Sequence, residues 1–168
     1  GPIVVVADAE GAGRALADAL ATELRVGAPE RRVVVAVVDG VAVGDDTVAI
    51  DLNHAGGATD IVDLLAGNAR ADVVYAHGAA DDGVASDVVT RRLDRLATLL
   101  VRLSDAKPRL WFVAPGAMQS VVGGPGARAA QTAAWGFGRV ALNEFPDLDI
   151  RLLDAAPTLQ PGEMAVRL

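Results

Sequence analysis

The residues Val6 to Gly13, Val-Ala-Asp-Ala-Glu-Gly-Ala-Gly, set Gly11 and Gly13 between an apolar β-branched run and a helical stretch. A glycine-rich turn of this kind lets backbone amides approach a pyrophosphate at a helix N-terminus, which is dinucleotide-binding chemistry. Half of the fingerprint is missing. Read as G-x-G-x-x-G, its third glycine is Leu16, and Glu10 brings a carboxylate to a place that needs positive potential for a dianionic ligand. The expectation is a vestigial loop: Gly11 and Gly13 permit a tight strand-to-helix turn, and this chain binds no cofactor. Asp39, after the second apolar run, would hold a ribose hydroxyl only if that loop were functional; otherwise it is a turn former.

Other chemistries fare no better. Short-chain reductases use T-G-x-x-x-G-x-G, but Val6 and Ala7 stand where Thr and Gly belong. Their carbonyl is protonated by a tyrosine whose pKa is lowered by a lysine four residues on. Here the only tyrosine, Tyr75, lies in an apolar run, position 79 is Ala79, and the only lysine, Lys107, is far away. Ser86, Ser104 and Ser120 lack a G-x-S-x-G turn or a neighbouring histidine, and there is no cysteine nucleophile. His77, Asp81, Asp82 and Asp87 offer ligands for a hard cation, but a loop after a strand is where a histidine ends the core and aspartates cap the next helix. No catalytic residue and no metal site are expected.

The elements that would position such groups alternate. Strands are expected at Ile3 to Asp8, Val33 to Val38, Val48 to Leu52, Asp72 to His77, Leu110 to Ala114 and Ile150 to Leu153. Helices are expected at Gly13 to Arg25, from a Thr59-Asp60 cap to Ala66, at Val84 to Leu103, and at Ala127 to Phe145. A Gly/Pro-rich loop is expected from Pro115 to Gly126. Alternation with short connections implies right-handed βαβ units: a doubly wound, mostly parallel α/β sheet with helices on both faces. Residues 1–156 read as one domain, and 157–168, with two prolines, a glycine and no helical period, as a linker.

The 168 residues suffice for one core, and 52% hydrophobic against 22% charged residues is the composition of a folded chain. Without cysteine, disulfides and thiolate metal sites are excluded and a cytoplasmic location is the expectation. No apolar run approaches a bilayer's thickness, and a net charge of −7 with no basic stripe disfavours nucleic acid; neither membrane nor nucleic acid is expected as a partner. One lysine against fourteen arginines, with abundant Ala, Val and Gly, fits a high-GC bacterial source.

The most distinctive segment is Gln131-Thr132-Ala133-Ala134-Trp135-Gly136-Phe137-Gly138-Arg139-Val140. Two glycines in a helix each cost roughly 1 kcal/mol relative to alanine, so tight helix-to-sheet packing beside Trp135 is expected. This segment resembles the structural half of ketoreductase regions in type I polyketide and fatty acid synthases, whose pattern is Gln-Ala-x-x-Trp-Gly-x-Gly-Arg, a Glu-x-Pro-Asp-Leu turn and a strand ending Leu-x-Asp. Gln131, Trp135, Gly136, Gly138, Arg139, Glu144, Pro146, Asp147, Leu148 and Asp154 match in order, and Arg109-Leu110-Trp111-Phe112-Val113 looks like that family's Leu-Trp-x-Val strand.

The resemblance implies a non-catalytic scaffold with a truncated Rossmann-like fold, which the strand ending Val5-Val6-Ala7-Asp8 and the degraded glycine loop suit. NADPH and the catalytic groups would belong to a partner catalytic ketoreductase subdomain if that partner is active; a pseudo-ketoreductase without one fits equally. Enoylreductase or dehydratase domains and the acyl carrier protein of the same synthase are the implied partners. The alternative is a free-standing NAD(P)-binding short-chain-type oxidoreductase or nucleotide-binding module; a degenerate methyltransferase is disfavoured by the Trp-Gly-x-Gly-Arg motif.

Overall fold

In the computed structural model, residues 1–52, 61–67, 70–80, 83–118, 128–156 and 160–168 are described. The β-branched runs form strands β1 (Ile3–Ala7), β2 (Val33–Val38), β3 (Thr47–Ile50), β4 (Asp72–Tyr75), β5 (Arg109–Val113) and β6 (Asp149–Leu153). Between and after them lie helices α1 (Gly11–Gly27), α2 (residues 61–65), α3 (Ser86–Ala106), α4 (Ala129–Glu144) and α5 (Pro161–Ala165). All six strands are parallel, in the order β3-β2-β1-β4-β5-β6. The expected Thr59-Asp60 cap and most of the expected 115–126 loop lie outside the described residues.

A strand buried on both faces must be apolar throughout, which is why β1 and β2 read as unbroken Val/Ile/Ala runs. Alternate residues feed two cores. Val4, Val6, Val73 and Leu110 face the leucines of α3 (Leu96, Leu99, Leu100, Leu103) and Ala141 of α4. Ile3, Val5, Val35, Val74 and Trp111 face Ala17, Leu20 and Leu24 of α1, together with Met164 of α5.

The tail therefore differs from the irregular segment that its sequence suggests. Residues 161–165 form a helical turn capped by a reciprocal Gln160–Glu163 box and docked on α1, with Met164 buried. A single turn is too short to show a period, and burial of one methionine fixes it.

The sheet reverses direction of winding between β1 and β4, and both ends of that seam are pinned. At the amino end, Arg31 donates to the carbonyls of Gly1 (2.7 Å), Pro2 (3.0 Å) and Arg70 (3.2 Å), and its guanidinium lies 2.6 Å from Asp72. The carboxyl end is held by Asp8, described below.

The two glycines of α4 prove unlike. A Cβ at Gly138 would lie 2.5 Å from Leu152 Cδ2, the close helix-to-sheet approach expected. Gly136 is exposed and a Cβ there would meet nothing within 4 Å, so packing within the chain does not account for it. Gly136→Ala is accordingly expected to stabilise the fold by about 1 kcal/mol, whereas Gly138→Leu, which drives a large side chain into β6, is expected to destabilise it by about 1–3 kcal/mol. Urea denaturation of the two variants checks this; the reverse ranking would contradict the packing described.

Candidate functional site

In an open parallel sheet, ligands bind at the carboxyl ends of the strands where the winding reverses. A cleft of about 590 Å³ lies there, between the β1–α1 turn, the end of β2 and α3. The β1–α1 turn has the expected shape: Gly11 takes a left-handed φ of +73°, which disfavours a side chain, and begins α1 two residues earlier than the sequence suggests.

What fills this turn is Asp8. A Cβ at Gly13 would overlap Asp8 Oδ2 and lie 2.8 Å from its Cγ, so the glycine leaves room for the chain's own carboxylate. Asp8 Oδ2 accepts the Gly78 N–H (2.9 Å), and Oδ1 accepts from the Arg92 guanidinium of α3 (3.2 Å). His77 Nδ1 lies 2.8 Å from Oδ1. Burial raises the Asp8 pKa; the His77 contact, the Gly78 amide and Arg92 together outweigh it and hold the carboxyl below its ordinary value. Nothing in the local sequence marks Asp8 for this role, because its partners are 70 and 84 residues away.

The cleft's charges are balanced. Arg91, Arg92 and Arg95 face Asp8, Glu10 and Asp39 across it, and Arg95 lies 2.8 Å from Asp39. Asp39 has a left-handed φ of 54°, the turn geometry expected of it, with its carboxylate beside Arg95. Glu10 precedes α1 without capping it through its side chain.

The remaining candidates are scattered. Tyr75 is buried between the sheet and α3, packs against Phe112 and His77, and has its phenol pKa pushed well up by burial, with Arg92 opposing and Asp8 reinforcing; a proton donor of the reductase type needs the opposite shift. Lys107 ends α3 in a left-handed turn (φ 46°) before Pro108, its ammonium 3.8 Å from Asp147. Ser86 opens α3, and Ser104 donates to the Val101 carbonyl. Asp87 sits in the first turn of α3 and pairs with Arg91 (3.3 Å); it makes no cap hydrogen bond. Asp81, Asp82 and Ser120 lie outside the described residues, among which no group of three metal-ligating side chains occurs.

Two residues of the distinctive motif serve this end of the sheet. Gln131 is buried and donates to the Gly78 carbonyl (2.7 Å), joining α4 to the turn that Asp8 holds. Asp154 accepts from three successive amides, Gly116 (2.9 Å), Ala117 (3.1 Å) and Met118 (3.0 Å), and shapes the start of the loop after β5. Trp135 is half-buried, Arg139 and Pro146 are exposed, and Leu148 is buried beneath α3 and α4.

Solved structures share this fold. A Methylobacillus flagellatus protein named as an NAD-dependent epimerase/dehydratase matches 91% of this chain and 53% of its own length at 15% identity, with a TM-score of 0.57. The fold is Rossmann-like. A Burkholderia multivorans protein named as a short-chain alcohol dehydrogenase (13% identity, 94% of this chain, 84% of its own, TM-score 0.56) and a Burkholderia cenocepacia short-chain dehydrogenase in complex with NADP (14%, 93%, 71%, 0.53) match likewise. The chain thus spans about half of the first protein's length and more of the others. At these identities the likeness shows the fold, and it does not bear on the synthase resemblance. No family model and no curated protein matches the sequence. Among the described residues no helix is long and apolar enough to cross a membrane.

The Asp8 contacts make a measurable contribution. Its folded pKa is depressed below the ordinary 3.8, so the stability it adds is complete above that value and is lost as pH falls through the lowered one. Asp8→Asn is expected to lose about 2 kcal/mol near neutral pH, and the gap between variant and parent, read by urea denaturation, is expected to close only below about pH 4. A gap independent of pH down to acid unfolding would show that the carboxylate charge is immaterial.

Proposed function

We propose that this chain is a non-catalytic, Rossmann-like structural subdomain of a polyketide synthase ketoreductase region, supporting a catalytic ketoreductase or a neighbouring enoylreductase or dehydratase domain. The observation that carries the non-catalytic part is the Asp8 carboxylate lying against Gly13, where a cofactor pyrophosphate would have to come. A phosphate charge about 4 Å from that carboxylate would meet a repulsion of about 4 kcal/mol at an effective dielectric of about 20, which the neighbouring Arg92 guanidinium offsets in part. The three cleft arginines do not reverse this, because Asp8, Glu10 and Asp39 balance them in number. The synthase context rests on the motif from Gln131 to Asp154 and on the strand from Arg109 to Val113.

A second reading, an NAD(P)-binding short-chain-type oxidoreductase, is favoured by the structural comparisons more than the first, since one neighbour of the same fold holds NADP and another, MoeE5, holds NAD with UDP-glucuronic acid. It requires Asp8 to swing away from Gly78 and Arg92 when the ligand arrives.

Calorimetric titration with NADPH and with NADH separates the two. No saturable heat up to high micromolar ligand is the expected result. One-to-one binding that disappears in Gly13→Leu would overturn the structural reading and make the crevice an active nucleotide site, of an oxidoreductase or of a nucleotide-binding module.

A further inference from the structure

The crevice at the carboxyl ends of the strands already receives an oxyanion, and the chain itself supplies it. The Asp8 carboxylate accepts from the Gly78 N–H at 2.9 Å and from the Arg92 guanidinium at 3.2 Å, with His77 Nδ1 2.8 Å away. A backbone amide, a guanidinium and an imidazole that converge on one point are groups that hold a carboxylate or a phosphate in a binding site. Gly13 completes the seat by leaving out a Cβ that would overlap Asp8 Oδ2.

The seat opens onto the cleft. The Asp8 and Arg92 side chains are 13% and 22% exposed, and both line the space of about 590 Å³ together with Arg91 and Arg95. A small ligand in that space meets the Asp8 side chain directly, and removing the carboxylate frees its place from the same side. Removal also tips the charge, because the three arginines then face only Glu10 and Asp39 among the carboxylates that line the cleft. The first turn of α1, a helix of 17 residues, adds the positive end of its dipole beside Gly13. The Gly78 amide and Arg92 are part-buried donors, and a donor that loses its acceptor there favours any external oxyanion that replaces it.

We propose that Asp8 is an intramolecular ligand of an oxyanion seat, an autoinhibitory contact that keeps a small carboxylate or phosphate group out of the crevice. This rests on the reading that the parent takes no nucleotide, and adds that the receiving groups are competent and that one carboxylate closes them.

Asp8→Ala vacates the seat and keeps the donors. Thermal melting in sodium formate, sodium phosphate and sodium chloride at matched ionic strength reads its occupancy. Formate or phosphate is expected to raise the Tm of Asp8→Ala saturably, with an affinity at least roughly ten-fold above that for the parent, and chloride to leave it unchanged. A response to formate alone supports a carboxylate as the excluded group, and a response to phosphate supports a phosphate group. Asp8→Asn, whose amide fills the same space, is expected to show no gain, as is Arg92→Met added to Asp8→Ala. Equal Tm shifts in Asp8→Ala and the parent overturn the proposal, as does a gain that persists without the Arg92 guanidinium. Should Asp8→Ala fail to fold, Asp8→Ser, whose hydroxyl is smaller than the carboxylate, is melted in its place and the same results decide. NADPH binding by the parent would sink the structural reading, whereas an Asp8→Ala variant that ignores both anions sinks the autoinhibitory contact and leaves that reading standing.

Discussion

The seam between β1 and β4 is the constraint on which the rest of the molecule depends. Every other strand pair joins neighbours in the winding order, whereas this one joins the two half-sheets, β3-β2-β1 and β4-β5-β6. Four parallel residue pairs make the seam, and a charged side chain locks each end: Arg31 with Asp72 below, Asp8 with the Gly78 amide and Arg92 above. Both locks are mostly buried, where a paired charge is worth keeping and an unpaired one is strongly destabilising. Gln131 extends the upper lock to α4 through the Gly78 carbonyl, so one short turn gathers β1, α3 and α4.

This arrangement gives the crevice its character. The Rossmann-like fold provides a helix N-terminus and a glycine turn at the switch point, a setting that elsewhere receives a phosphate. Here an aspartate from the same turn enters that space, and the amide it accepts comes from the facing loop. The same logic recurs after β5, where Asp154 gathers three backbone amides. Groups that could greet a ligand at both loops are occupied by the chain's own carboxylates.

Much of this was legible in the sequence, and what was not has a physical reason. The buried parallel strands declare themselves because two covered faces demand unbroken runs such as Val33–Val38, and α3 declares itself by leucines at three- and four-residue spacing. The turn at Gly11 and Gly13 was visible as a turn, and Tyr75 as a strand residue rather than an acid. The role of Asp8 was hidden because it exists only when residues 8, 78 and 92 meet. The turn α5 was missed because one buried methionine, with no periodicity, anchors it. The paired glycines of α4 looked alike in sequence; only the sheet beneath distinguishes Gly138, which needs its missing Cβ, from Gly136, which does not.

The winding order also sets the order in which the sheet can be assembled. Ile3 meets Val33 across a loop of thirty residues but reaches Asp72 only across more than twice that length of chain. Loop-closure entropy makes the second encounter costlier by about 0.7 kcal/mol, and long-range parallel pairing is intrinsically slow. The two half-sheets therefore have the means to form separately, each from local crossovers, before they join. The seam closes the longer of the two loops, and it is there that the two ionic locks hold the halves together.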